Sequence, residues 1–261
     1  VKLTKEIAVG LKVAYLFGPV SNLYSNVLSS DASVGDQYVV SIEEKTNNHG
    51  FNFGVGFSFI RDSLGRRQDR KISVGAVYNF ASDLKANSNS KIFRTTLGGD
   101  TVERYNIESD QGTLHLPQGF SVGISYGKGV NWSVGTEFAY QDWGSFKDIR
   151  TDDEGLGKFW RATVGGEFTA DPLALESYLK RITFRTGVSY EQYPFLANGN
   201  EVKDFGINFG FSLPAGRSSM DLALKVGKRG NKQENVLEES YFKLYFGITF
   251  NDQWFIKRKF D

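Results

Sequence analysis

Between Tyr241 and Phe250 the sequence reads YFKLYFGITF. Every second residue from Phe242 is large and apolar: Phe242, Leu244, Phe246, Ile248 and Phe250. The intervening set is Tyr241, Lys243, Tyr245, Gly247 and Thr249. A period of two belongs to a β-strand, whose successive side chains point to opposite faces. The same grammar returns along the chain. Phe205, Ile207, Phe209, Phe211 and Leu213 alternate with Asp204, Gly206, Asn208, Gly210 and Ser212. Phe51, Phe53, Val55, Phe57 and Phe59 alternate with Asn52, Gly54, Gly56 and Ser58. FSVGISYG from Phe120 and MDLALKVG from Met220 repeat the pattern, and weaker copies begin near Ile7, Ile72, Trp132, Trp160 and Ile182. The spacing predicts about ten strands.

The second face decides what kind of sheet this is. A soluble sandwich hides its apolar face in a core and shows water Lys, Glu, Thr and Arg. Here the second face is rich in Gly, Ser, Asn and Ala with scattered charges, which suits a wet, crowded lumen, while the bulky face suits lipid. Aromatics gather at stripe ends, as at Tyr15 and Phe17, Tyr78 and Phe80, Tyr140 and Trp143, and Tyr190 and Tyr193. Interfacial girdles lie at such places. The expected fold is therefore all-β, a transmembrane antiparallel β-barrel, with Phe205, Phe209, Leu224, Phe246 and Phe250 facing lipid. Composition agrees: aromatics make up 15% and glycines number 29, against one Met and five Pro. No apolar run approaches the roughly 18 residues a membrane helix needs.

Barrels of the outer membrane of Gram-negative bacteria have short periplasmic turns and long outer loops. With a periplasmic C-terminus, parity puts GKGVN (127–131) and PAGR (214–217) inside, and the polar segments at about 18–37, 143–158, 191–201 and 229–239 outside. Two inner connections are longer, 61–71 and 170–180. In the second, Asp171, Pro172 and Glu176 predict a short capped helix. Region 81–118 keeps alternating after its apolar face ends, which predicts two strands projecting beyond the membrane and meeting at Leu97-Gly98-Gly99-Asp100. The barrel spans residues 1–250, leaving 251–261 as a periplasmic tail that anchors at the interface through Trp254, Phe255 and Phe260.

Parity also collects an inward polar set: Lys12, Glu137, Arg161, Glu167, Arg181, Arg185, Asp204, Asn208, Asp221, Lys225 and Lys243. It reads either as a polar path or as the mixed, cross-strand-paired lining that any watery lumen holds. Inward apolar residues are few: Leu16, Ile60 and Val77. With 31 basic and 30 acidic side chains the net charge is +1, so nucleic acid has no electrostatic reason to bind. There is no cysteine, which removes thiol catalysis and thiolate metal sites. His49 and His115 fall on strand extensions; His115 has Ser109 and Asp110 nearby in sequence but no catalytic motif, so no enzyme is expected, a surface enzyme standing only as a distant alternative, and neither metal nor cofactor is expected.

LHLPQGFSVGISYGKG (114–129) resembles the Leu-Pro turn into a strand found in the long-chain fatty-acid transporter (FadL) family of outer-membrane barrels. KVAYLFG (12–18) and the ending ESYFKLYFGITFNDQWFIKRKFD are similar to a branch of that family. The resemblance implies passive passage of hydrophobic compounds: capture at the outer rim, entry into an apolar pocket and release through a gap in the wall. It also implies about fourteen strands and an N-terminal hatch bearing Asn-Pro-Ala, a tripeptide this sequence lacks. With Val1 in place of an initiator Met, the expectation is the C-terminal part of such a barrel, in which the first and last strands do not pair. The alternative is a smaller closed barrel, in which they do. Expected partners are outer-membrane lipids, hydrophobic small molecules or, for a non-transporting barrel, the other subunits of an outer-membrane secretion or assembly complex.

Overall fold

The computed structural model describes residues 1–29, 37–62, 69–96, 98–107, 109–149, 155–216, 218–235 and 237–250. Thirteen strands form one antiparallel sheet: β1 (Ile7–Ser29), β2 (Gln37–Asp62), β3 (Arg70–Asn79), β4 (Ser82–Thr96), β5 (Thr101–Asn106), β6 (Asp110–Leu116), β7 (Gly119–Lys128), β8 (Trp132–Asp142), β9 (Lys158–Thr169), β10 (Thr183–Ala197), β11 (Asn200–Ala215), β12 (Ser218–Gly230) and β13 (Glu238–Thr249). Every one of the ten stripes is a membrane-length strand. These are β1, β2, β3 and β7 through β13, and each pairs with its neighbour in this order.

Strand register keeps the two faces separate across the whole sheet. One rung runs Phe59, Val74, Ile124, Thr136, Val164, Val188, Ile207, Val226 and Phe242. The adjacent rung on the other face runs Ser58, Gly75, Gly123, Glu137, Thr163, Ser189, Gly206, Gly227 and Tyr241. The apolar rungs are open on the outside of the fold: Leu11, Phe17, Phe209, Phe242 and Phe246 are all more than half exposed. An apolar area so wide is unstable in water and stable against hydrocarbon. Its upper margin carries a chain of touching rings, Tyr15 with Phe51, Phe51 with Phe53, Tyr78 with Phe80, Phe120 with Tyr140, and Trp160 with Phe138 and Tyr190.

Beyond that margin β1 and β2 run on as a ladder to Ser29 and Gln37, so most of the expected loop at 18–37 is strand. The region 81–118 forms the two projecting strands expected, with the second interrupted. It is one long strand, β4, and an interrupted partner, β5 followed by β6; β4 further pairs the upper half of β2, from His49 with Lys85 to Tyr38 with Thr96. The result is a five-stranded wing standing on the rim. The segment expected as a loop at 191–201 closes as a hairpin instead. Asn198 and Gly199 both take positive φ, +54° and +73°, the backbone a two-residue turn of matching twist requires. The expected capped helix in 170–180 does not form. The Asp171 carboxylate accepts from the Leu173 N–H at 3.0 Å, making a local turn, and a 3-10 turn, Tyr178–Arg181, follows.

Strands β1 and β13 lie at opposite ends of the sheet, and among the described residues no ladder joins Val9–Tyr15 to Leu244–Phe250. The tail 251–261 lies outside the described residues.

Candidate functional site

The inward polar candidates, Arg181 apart, share one face. Register places Lys12 beside Gly54 and Asn79, Glu137 beside Gly123, Arg161 beside Ala139, Glu167 beside Ser133 and Arg185, and Asn208 between Gly187 and Lys225, with Lys243 next in the same rung. Asp204 lies in a rung with Glu191 and Arg229. Arg181 is the exception: it sits in the 3-10 turn with its guanidinium 5.0 Å over the Tyr178 ring.

Three groups of these side chains join. At the wing end of β10 to β13, Asp204 is 1% exposed, the most deeply buried large side chain among the described residues. Arg229 donates to Asp204 Oδ2 at 3.2 Å, Lys225 Nζ stands 3.7 Å from Oδ1, and the Tyr241 hydroxyl donates to both oxygens at 2.7 and 2.9 Å. Arg229 also donates to the Tyr193 hydroxyl at 3.0 Å and stacks 4.9 Å from that ring. Lys243 Nζ stands 4.9 Å over the Tyr241 ring. A carboxylate is stable out of water only when it is paired and hydrogen-bonded in this way.

Two glycines make the convergence possible. A Cβ at Gly206 would collide with Lys225 Cε, and one at Gly227 would come within 2.5 Å of the Tyr241 hydroxyl oxygen. Lys225, from the next rung, therefore lies flat over Gly206, and Tyr241, from the same rung as the two glycines, lies flat over Gly227, so that both reach Asp204. Sequence parity identified Asp204, Lys225 and Lys243 but missed Tyr193, Arg229 and Tyr241. The second group centres on Arg185, which pairs Glu167 at 3.3 Å and Asp221 at 3.4 Å and also donates to Ser212. Ser133 donates to Glu167 at 3.1 Å. In the third, Arg161 pairs Glu137 at 3.0 Å. Lys12 donates to Asn79 at 3.5 Å.

The rest of the same face is hollow. A cavity of about 740 Å³ lies over Gly10, Gly56, Ser58, Ile60, Ser73, Gly75, Val77, Gly123 and Ser125, with Glu137 and Thr163 at its border. Its floor is mostly glycine and serine, so the space exists because the strands carry almost no side chain there. Of the expected inward apolar residues, Ile60 and Val77 line it. Leu16 lies higher, opposite Gly50, near the wing's buried Leu84.

His115 does not meet Ser109 or Asp110. Its Nδ1 bonds Asp83 Oδ1 at 2.6 Å, and its backbone pairs Lys147, so it fastens the 143–149 segment to the edge of β6. Among the described residues no group of His, Asp and Glu is placed to hold a metal.

The comparisons with known proteins follow this geometry. The model of the family described as BamG matches residues 1–261. The long-chain fatty acid transport protein of Escherichia coli O6:H1 is 21% identical over 188 residues, a match that covers 67% of this chain and 40% of the relative. The crystal structure of the P. putida toluene transporter TodX superposes with a TM-score of 0.52 at 14% identity, covering 96% of this chain and 67% of that one. The fold is thus that of a fatty-acid-transporter-type outer-membrane β-barrel, as the resemblance implied, although the matching family model is a different one.

Proposed function

The chain belongs to the BamG family, and from that premise and the geometry above we propose that it is an outer-membrane barrel with a polar lumen, a lipid-facing apolar side and a hollow that takes a hydrophobic compound. The observation carrying this reading is the 740 Å³ hollow bordered by Glu137, which is paired with Arg161. The named relatives are transport proteins for a fatty acid and for toluene, and a glycine floor leaves room for a slender apolar chain. The band height fits a membrane. From Ile7 to Phe17 the outward residues of β1 are apolar, a run of about 33 Å along the strand, or about 25 Å of height at ordinary barrel tilt.

Gly75 supplies the test, because a Cβ there meets nothing within 4 Å. Gly75→Phe fills the hollow without disturbing the wall. In protein reconstituted in lipid vesicles, a fluorescent long-chain fatty acid should bind saturably to the wild type, with little salt dependence since the driving force is apolar burial. Gly75→Phe should abolish that binding. Absence of saturable binding to the wild type, or equal binding by the two, overturns the transport reading.

A second reading is a non-transporting subunit of an outer-membrane secretion or assembly complex. It is favoured by the inward-facing side chains of the hollow, Ile60, Val77 and Ala8 among glycines and serines, while Val9, Phe57, Val74, Ala76, Val122 and Ile124 along it belong to the outward face; small-molecule sites are ordinarily lined by hydrophobic and aromatic side chains. This reading expects no saturable fatty-acid binding, and a native complex in outer-membrane extracts, larger than the 29.2 kDa chain, that survives Gly75→Phe.

A further inference from the structure

The apolar side of β1 and β2 ends abruptly. Its last ring rung pairs Tyr15 with Phe51. The next rung on the same face runs Phe17, His49, Lys85 and Thr113; then come Pro19, Asn47, Asn87 and Gln111; then Ser21, Lys45 and Asn89. Aromatic rings thus give way, within one rung, to a basic and amide surface. His49, Lys45 and Lys85 are all exposed.

The charge balance of this surface is uneven. Asp83, toward the membrane, is engaged by His115 at 2.6 Å. Glu43, farther out, has Lys91 opposite it in register. Between them, among the described residues, neither Lys45 nor Lys85 has a carboxylate partner. By contrast Lys228, at the wing end of β12, is paired with Glu238 at 3.0 Å.

We propose that this face of β2 and β4 binds the phosphorylated sugar headgroup of a glycolipid whose acyl chains lie against the Tyr15 and Phe51 rung. The inference rests on the reading that the apolar face meets lipid. Two features select this occupant. Lys85 stands in the rung immediately above the rings that mark the acyl boundary and Lys45 two rungs farther out, so the pair spans the depth where a lipid phosphate and its sugar sit and where basic side chains gain from anionic headgroups. The exposed amides of Asn47 and Asn89, beside the lysines, suit hydroxyls, which a sugar offers and a bare phosphate does not. The Lys85 and Lys45 rungs lie about 13 Å apart along the strands, a span that matches a headgroup larger than a single phosphate.

The test uses the purified chain in detergent micelles, titrated with diphosphorylated lipid A, with the same lipid after dephosphorylation and with inorganic phosphate, and read by native mass spectrometry. The wild type should retain the diphosphorylated lipid, and Lys45→Gln/Lys85→Gln should weaken that binding about tenfold or more. Lys228→Gln should bind as the wild type does. Equal binding of the dephosphorylated lipid, or an unchanged double variant, overturns the proposal. Competition by inorganic phosphate at similar concentration would assign the lysines to a free anion and overturn the lipid source. Failure of the apolar face to meet lipid shows separately, as failure of the wild type to insert into vesicles; a barrel that inserts without discriminating phosphate refutes this inference alone.

Discussion

Asp204 is the residue on which the polar face depends most. With three polar groups converged on a side chain 1% exposed, Asp204→Asn keeps the shape but leaves Arg229 and Lys225 facing a neutral amide. Breaking a buried charge group from one side costs about 3–5 kcal/mol. Glu137→Gln removes one member of a pair whose side chains are 42% and 51% exposed, and such a loss is worth at most about 1 kcal/mol. Urea titration of vesicle-folded protein should separate the two variants clearly, and equal costs would show that Asp204 is not the hub. The sequence held more of this cluster than parity revealed. Only two residues separate Ala215 from Ser218, and that turn sets the register that puts Asp204 opposite Arg229. Tyr193 was harder to see, because the ladder of β10 and β11 shifts register between Gln192 and Leu196. A bulge of this kind leaves no alternation to count.

At the scale of strands, the two-faced assignment makes a sharp claim about neighbours. Leu224 lies in the middle of the apolar side of β12, beside Phe209 and Leu244, and Ala223 points the other way, over a hollow bordered by Glu167 and Asp221. Leu224→Arg should destabilise the barrel by about 2–4 kcal/mol in a refolding titration. Ala223→Arg should cost much less, since its side chain enters a watery lumen and not hydrocarbon. Asn208→Arg is a poorer control, because the register sets it directly opposite Lys225. Similar costs at 223 and 224 would refute the assignment. Alternation was legible wherever one side was hydrocarbon, and all ten membrane strands announced themselves that way. Where both faces are polar the signal fades: β4 reads SDLKANSNS, and nothing in that string says that β2 is its partner. The Asn198-Gly199 pair was a hairpin signal hidden in a polar stretch.

The whole molecule is asymmetric end to end, and that asymmetry yields the last prediction. At one end β7 and β8 are joined by three residues, 129–131, and β11 and β12 by two, 216–217. At the other stand the wing of β1, β2, β4, β5 and β6, the 143–149 segment bound to His115, and the projecting hairpin of β10 and β11. Outer-membrane barrels keep short turns on the periplasmic side and long connections outside. Single cysteines are well suited to read this, since the chain has none of its own. Asn200→Cys, exposed beside the hairpin tip and outside its two positive-φ positions, should react with a membrane-impermeant maleimide on intact cells. Gly129→Cys would strain a residue at φ +49°, so Val130→Cys, exposed in the same tight turn, is the better probe, and it should react only after the outer membrane is permeabilised. The reverse pattern would turn the barrel over: the wing would then face the periplasm, and its basic rungs the inner leaflet. In that case the lysines at 45 and 85 would meet ordinary phospholipid in place of a phosphorylated glycolipid, while the lipid face and the Asp204 cluster would stand unchanged.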